Sequence, residues 1–340
     1  MLNQHIDRRT LLASAAAFGS LAFGGAAFAQ AKGLPVRLAN ASGNVNLALH
    51  QMMIDLKFLQ DFGLEPNVIT VADGSKIVGG LVGGDLDLST MSGFGQIFPA
   101  IEKGGKMKVL GGAMLLPSLA LFTAKDNVKS LKDLEGKTVG SGAVGSLVHQ
   151  LSVALLKKKG VDYTKVRFAN IGASGDVFRA VTVGTVDAGV GELSLLEQQE
   201  RFKVRAIPEA NMSIELPEYT YQGAYTTDQV IETKRDLLVR TMAAYGKLYR
   251  HLHKPSSKDD FFKARSVAAK NATVEENEML WRSLQNYKPY AENLELSPER
   301  IEYMQKLNVE LGVQKAALPF GQVADMSIAR DAVKLLGGPT

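Results

Sequence analysis

Hydrophobic and polar positions follow two rhythms along this chain, and where the rhythm changes the elements repeat in the same order. Val36 to Asn40 alternates as a strand and runs into ASGNVN. Apolar residues then recur at spacings of 3 and 4 (Leu49, Met53, Leu56, Leu59), which predicts a helix to about Phe62 capped by Gly63. The strand VITV, the turn ADGS, the helix KIVGGLVGG and the strand DLDLSTMSG follow. From Gly136 the order returns: strand GKTVGS, the small-residue loop GSGAVGS, a helix ending at Gly160, strand KVRFANI, turn GASGD, helix VFRAVTVG and strand VDAGVGE.

Ser42 and Gly142 stand the same distance before Asp87 and Asp187, but Gly63 answers Gly160 out of register. The likeness is a structural echo and not a tandem repeat, and two copies are too few for a solenoid. Two α/β halves with loops at their strand ends point to a ligand held between them. The segments 115–125 and 217–227 read as strands crossing between the halves. Beyond Asp228 the pattern is helical over about 228–253, 258–270, 273–287 and 298–312, with Thr273 and Glu276 as a capping box and Ser297-Pro298 as a helix start. These helices are expected to pack on the first half.

Residues 1–31 differ from the rest: Arg8 and Arg9, an Ala/Gly/Leu centre and A-x-A endings predict a twin-arginine export leader cleaved after Ala29 or Ala31. A chain of 340 residues, 46% hydrophobic and 22% charged, has the composition of a globular protein of more than one core. Its net charge of +4 falls to +3 once two arginines and one aspartate leave with the leader, too slight an excess for nucleic acid. With no cysteine, an exported chain has neither disulfides nor thiol chemistry.

Glycine and serine dominate the candidate chemistry. Small residues before a helix leave backbone N–H groups open to a polar ligand, which nominates Ser141, Gly145 and Ser146, and by analogy Ser42, Gly43, Asn44 and Asn46. Gly145 is expected where backbone approaches ligand. Gly140 to Gly145 matches G-x-G-x-x-G, but the strand after it ends without the acidic residue a dinucleotide ribose needs. His50 and His149 lie on the helices that leave the two loops, within reach of a ligand or in the core. Phe94, in SGFG, and Tyr219, Tyr221 and Tyr225 either stack on a planar ligand or cover the hinge. Lys157 to Lys159 read as a solvated helix end. No metal-ligand spacing, nucleophile elbow or carboxylate pair is found, so neither catalysis nor a cofactor is expected.

The run DLEGKTVGSGAVGS and the later GTVDAGVGE resemble the periplasmic solute-binding proteins of nitrate, sulfonate, taurine and thiamine-precursor ABC transporters, over 34–320. The resemblance implies an α/β, two-lobed type II binding-protein fold, each lobe a mixed sheet flanked by helices, with a C-terminal helical extension. Lobe one would be 32–117 plus 223–340 and lobe two 118–222. Ligand contacts would fall at Ser42 to Asn46, at Ser92, Gly93 and Phe94, at Ser141 to Ser146, and near Ser174, Glu192 and Tyr221. The implied protein is a periplasmic, soluble monomer that captures a small organic solute and delivers it to a membrane permease. A thiamine-pyrimidine-precursor protein of the same fold is the alternative.

Overall fold

A computed structural model describes residues 33–340 except 42–43 and 72–73; the expected leader, Ser42 and Gly43 lie outside the described residues. Ten strands follow in chain order: β1 (Leu34–Ala41), β2 (Leu64–Val71), β3 (Leu88–Ser92), β4 (Met107–Gly112), β5 (Leu119–Thr123), β6 (Thr138–Ser141), β7 (Arg167–Asn170), β8 (Ala188–Glu192), β9 (Arg205–Asn211) and β10 (Gly223–Thr227).

They form two five-stranded mixed sheets, ordered β2-β1-β3-β10-β4 and β7-β6-β8-β5-β9. In each, the strand that has crossed from the other half is inserted antiparallel at the fourth position: β10 between β3 and β4, β5 between β8 and β9. The rest of the first half's opening, β1 with β2 and β3, is parallel, as is β6 with β7 and β8. Pro66 is tolerated in β2 because that strand is a sheet edge.

The two aspartates of the sequence echo perform the same task in each sheet. Asp87 Oδ2 accepts the Arg37 N–H at 2.9 Å while its own N–H reaches Arg37 O at 2.8 Å. Asp187 Oδ2 accepts the Thr138 N–H at 2.8 Å and returns its N–H to Thr138 O at 2.9 Å. Each aspartate thus pins the start of its third strand to the first. Asp87 goes further, accepting from the Arg37 guanidinium at 2.8 Å and from Lys234 Nζ at 2.7 Å. Burial alone would raise its pKa; those hydrogen bonds outweigh it and hold the carboxyl at about 2.

Two expectations need correction. The first helix stops at Asp55, and a separate turn, Phe58–Asp61, begins after Lys57 takes the left-handed conformation at φ 54°. Breaking there turns Phe58 and Leu59 into the core. The C-terminal helices do not pack on the first half alone. Arg235–Leu252 lies against it, but Val274–Tyr287 meets the 3-10 turn Leu193–Glu197 of the second half, and Pro298–Glu310 packs on the helix Leu147–Lys158. That last helix is therefore buried on both faces from Val148 to Leu156. At the end of that helix Lys157 and Lys158 are exposed, as expected, pairing at the surface with Glu310 and, at 3.3 Å, with Glu218, while Lys159 is half-buried against Glu215 at 2.7 Å.

The capping boxes at Thr273 and Ser130 and the Ser297 cap with Pro298 are formed. The segment after Tyr287 is bonded to the end of β4 and the residues that follow it. Leu115 N–H reaches Pro289 O at 2.6 Å, Ala291 N–H reaches Ala113 O at 2.8 Å, and Gly112 N–H reaches Leu294 O at 2.6 Å.

Candidate functional site

Strand β8 ends at Glu192, and the crossing strand beside it sets its first partner. Leu119 pairs with Glu192 across β5 and β8, so Ser118 lies just outside the ladder, where its hydroxyl donates to Glu192 Oε2 at 3.2 Å. Ser174, the first residue of the helix Ser174–Thr182, donates to Oε1 at 3.0 Å. Ser118 also hydrogen-bonds Tyr221, whose hydroxyl Glu192 and burial together push far above the ordinary phenol range. Burial raises the Glu192 carboxyl too, and the two serines only partly oppose it. No lysine or arginine among the described residues forms an ion pair with it.

The remaining expected contacts divide. Asn46 is buried, donating to Met91 O at 3.0 Å and accepting from Gln222 Nε2 at 3.4 Å. Ser141 is fully buried, its hydroxyl without a partner among the described residues, and its carbonyl receives the Ile171 N–H at 2.7 Å. Asn44 starts the helix Asn44–Asp55. Gly93 faces Leu147 of the second half, 3.7 Å from where its Cβ would stand. Ser92 is committed inside the first sheet, sharing a 2.6 Å bond with Ser89 and donating to Tyr225 at 3.3 Å. Phe94 is fully buried, edge to face on Phe98 with centroids 5.8 Å apart, which is a core position.

The loop before Leu147 is less open than expected. Ser146 N–H reaches Ala143 O at 2.9 Å, Ser146 Oγ accepts the His149 N–H at 3.4 Å as the helix cap, and His149 Nδ1 accepts the Gly145 N–H at 3.3 Å. Gly145 is required there by φ +79° and by Val313, whose Cγ1 would lie 2.7 Å from an added Cβ. Its close approach is to the C-terminal segment and not to an open cleft, so an aspartate at this position would strain the fold itself.

Tyr219 and Tyr225 belong to packing. Tyr219 donates to Gln150 Oε1 at 3.0 Å, and Gln150 Nε2 in turn donates to Asn308 Oδ1. Asn308 Nδ2 reaches Gly95 O at 2.8 Å. A buried amide chain thereby joins the second half, the C-terminal helix and the first half. His50 is buried against Tyr245, Nε2 to hydroxyl 2.5 Å, and desolvation lowers its pKa to about 4.

The sequence reading missed Ser118 and Tyr290. Ser118 follows Pro117 at the start of a strand, a position that resembles any turn. Tyr290 sits in a segment without periodicity and is placed only by long-range pairing with Met114. Two surface grooves, of about 460 and 300 Å³, run along Glu299–Lys306 and along Lys288–Glu295. Neither is lined by Glu192, Ser118 or Ser174; the carboxyl gathers its serines and tyrosine from within the second half.

A family model described as NMT1/THI5 like matches residues 44–256, well over half of the chain. The chain belongs to the NMT1/THI5-like family. Solved structures share the two-lobed periplasmic-binding-protein fold with this family member. The alkanesulfonate-binding protein SsuA from Xanthomonas axonopodis pv. citri, bound to MOPS, has a TM-score of 0.69 at 15% identity over 86% of this chain and 99% of that one. The periplasmic aliphatic sulphonate binding protein SsuA from Escherichia coli has 0.68 at 15% over 86% and 92%. The desulfurization enzyme DSZB has 0.62 at 14% over 89% and 99%. A comparison with curated proteins finds no significant sequence match. No helix among the described residues is long and apolar enough to cross a membrane.

Proposed function

We propose that this chain is the periplasmic substrate-binding component of an ABC importer, capturing a small organic solute by closing two lobes about a hinge. Lobe one would be 32–117 with 223–340 and lobe two 118–222, exported by the leader and acting as a monomer that docks on a membrane permease. The observation that carries the reading is the Glu192 carboxyl held by Ser118 and Ser174 at the end of β8. Such a polar group at strand ends, on a fold whose relatives include sulfonate-binding proteins, fits capture better than chemistry. Although an enzyme also uses this fold, the chain has no cysteine and no nucleophile elbow, so we read it as a binder.

Glu192 also decides what kind of solute fits. A carboxylate about 6 Å from an anion, at an effective dielectric of about 20, costs about 2.8 kcal/mol. A sulfonate, anionic at every relevant pH, therefore binds only if Glu192 takes up a proton. A neutral ligand with N–H donors, such as an aminopyrimidine, meets the carboxylate at no such cost, and this observation favours the pyrimidine-type alternative as the second reading.

Thermal-shift and calorimetric titration of the mature protein with ethanesulfonate and with 4-aminopyrimidine, at pH 5.5 and pH 8, separates the two. Sulfonate affinity should fall with rising pH, by up to about tenfold per unit above the Glu192 pKa, while aminopyrimidine affinity stays nearly level. Stabilisation by neither compound would count against the importer reading.

A further inference from the structure

We infer that residues 308–318 form a latch: the first half carries this segment, it catches on the helix Leu147–Lys158 of the second half, and the halves part only when the catch lets go. That the parting admits a solute rests on the binding-protein reading above; the latch itself does not.

The anchor of the segment is on the first half. The Glu102 carboxylate, at the end of the helix Ile97–Glu102, accepts the Lys315 N–H at 2.8 Å and the Ala316 N–H at 3.0 Å. Farther along, Lys108 Nζ of β4 donates to Gly321 O at 2.9 Å and to Gln322 O at 2.6 Å, and the Asp325 N–H reaches Val109 O at 2.9 Å. Inside, the segment is stiff. Gln314, 3% exposed, donates to Gln305 Oε1 at 2.9 Å and to Ala316 O at 2.7 Å. Gln305 in turn donates to Leu318 O at 3.0 Å and accepts the Leu318 N–H at 2.9 Å. A turn bonded in this way moves with the half to which it is tied.

The catch faces the other half. Asn308 Oδ1 accepts from Gln150 Nε2, Glu310 accepts from Lys157 Nζ and, at 3.1 Å, from the Tyr163 hydroxyl, and Val313 lies against Gly145. Gly145, Gln150 and Lys157 belong to one helix and the loop that leads into it. These catch bonds run from side chain to side chain, while the anchor holds the segment by its backbone. A rotation of one half against the other therefore breaks the catch first. Because the loop before Leu147 is also where a ligand is expected, solute and latch act on the same rigid element.

The chain has no cysteine, so Val82→Cys in the first half and Val183→Cys in the second, both at exposed helix ends, take spin labels at those two places alone. Pulsed electron–electron distance measurements on the mature, unliganded protein should show a second distance population. It should grow about threefold over wild type in Glu310→Lys and about tenfold in Asn308→Ala. It should return to the wild-type level in Lys157→Glu/Glu310→Lys, where the pair is restored with its signs exchanged. A general loosening of the fold would not be reversed in that way. An unchanged population in both single variants, or growth that the exchanged pair does not reverse, would overturn the latch. Adding 4-aminopyrimidine or ethanesulfonate should shrink the second population. Growth in the variants with no response to those probes would support the latch and count against the binding reading.

Discussion

Ser174 donates to Glu192 at 3.0 Å, and this bond joins the start of the helix Ser174–Thr182 to the last residue of β8. With Ser118 on the other oxygen, the carboxyl is oriented before any ligand arrives. Its pKa is raised by burial, so the neutral form contributes stability that is complete below the unfolded value and is lost as pH rises through the folded one.

Glu192→Gln should therefore raise the unliganded melting temperature at pH 8 and change it little at pH 4.5. At pH 8 the same substitution should weaken aminopyrimidine binding by at least tenfold, since a hydrogen bond to a charged group is worth about 1.5–3 kcal/mol, and should strengthen sulfonate binding, since the repelling charge is gone. Melting scans at both pH values check the first part. A variant less stable than wild type at pH 8 would contradict it.

His50 works in the opposite sense. Burial lowers its pKa to about 4 from the ordinary 6.5, so the unfolded chain binds the proton first and stability is lost as pH falls from about 7 to about 4. The shift corresponds to about 3 kcal/mol. His50→Gln, which can still bond the Tyr245 hydroxyl, should flatten that part of the stability profile in urea titrations at pH 7, 5.5 and 4.5. An unaltered slope would show that His50 is not its source.

Asp87, held at about 2 by Arg37 and Lys234, contributes stability that is present above the unfolded carboxylate pKa and is lost between about pH 5 and pH 2. Asp87→Asn should cost about 2 kcal/mol at pH 7, and the deficit should shrink towards pH 3. A deficit independent of pH would assign the loss to packing and not to charge.

Asn308 ties Gln150 of the second half to Gly95 of the first. Asn308→Ala orphans a buried amide and a buried carbonyl, each at about 1–3 kcal/mol. Urea unfolding should show a loss of about 3 kcal/mol, and solute affinity should fall because closure loses its bridge. A loss below about 0.5 kcal/mol would mean that the amide chain is solvated.

Much of this architecture was legible because it is local. Apolar runs ending in Gly/Ser loops located β1, β3, β6 and β8, and the equal spacing of Ser42 to Asp87 and Gly142 to Asp187 anticipated the paired sheets. Glu192 and Ser174 were nominated by the family resemblance, and Tyr221 by its place among the aromatics of the return crossing. What stayed hidden depends on contacts remote in the chain. Gln150 and Asn308 look like surface residues of amphipathic helices until the C-terminal helix covers them. Gly145 looks like a ligand glycine until Val313 is seen beside it. Tyr290 comes from an irregular stretch whose only order is its pairing with Met114, and no periodicity announces that.

The most direct test of the central claim is calorimetric titration of the mature chain, wild type and Glu192→Gln, with 4-aminopyrimidine and ethanesulfonate. One molecule bound per chain for at least one of them at pH 8, with 4-aminopyrimidine weakened at least tenfold or ethanesulfonate tightened at least tenfold in the variant, is the predicted result; no binding of either, or binding indifferent to Glu192, would contradict the account.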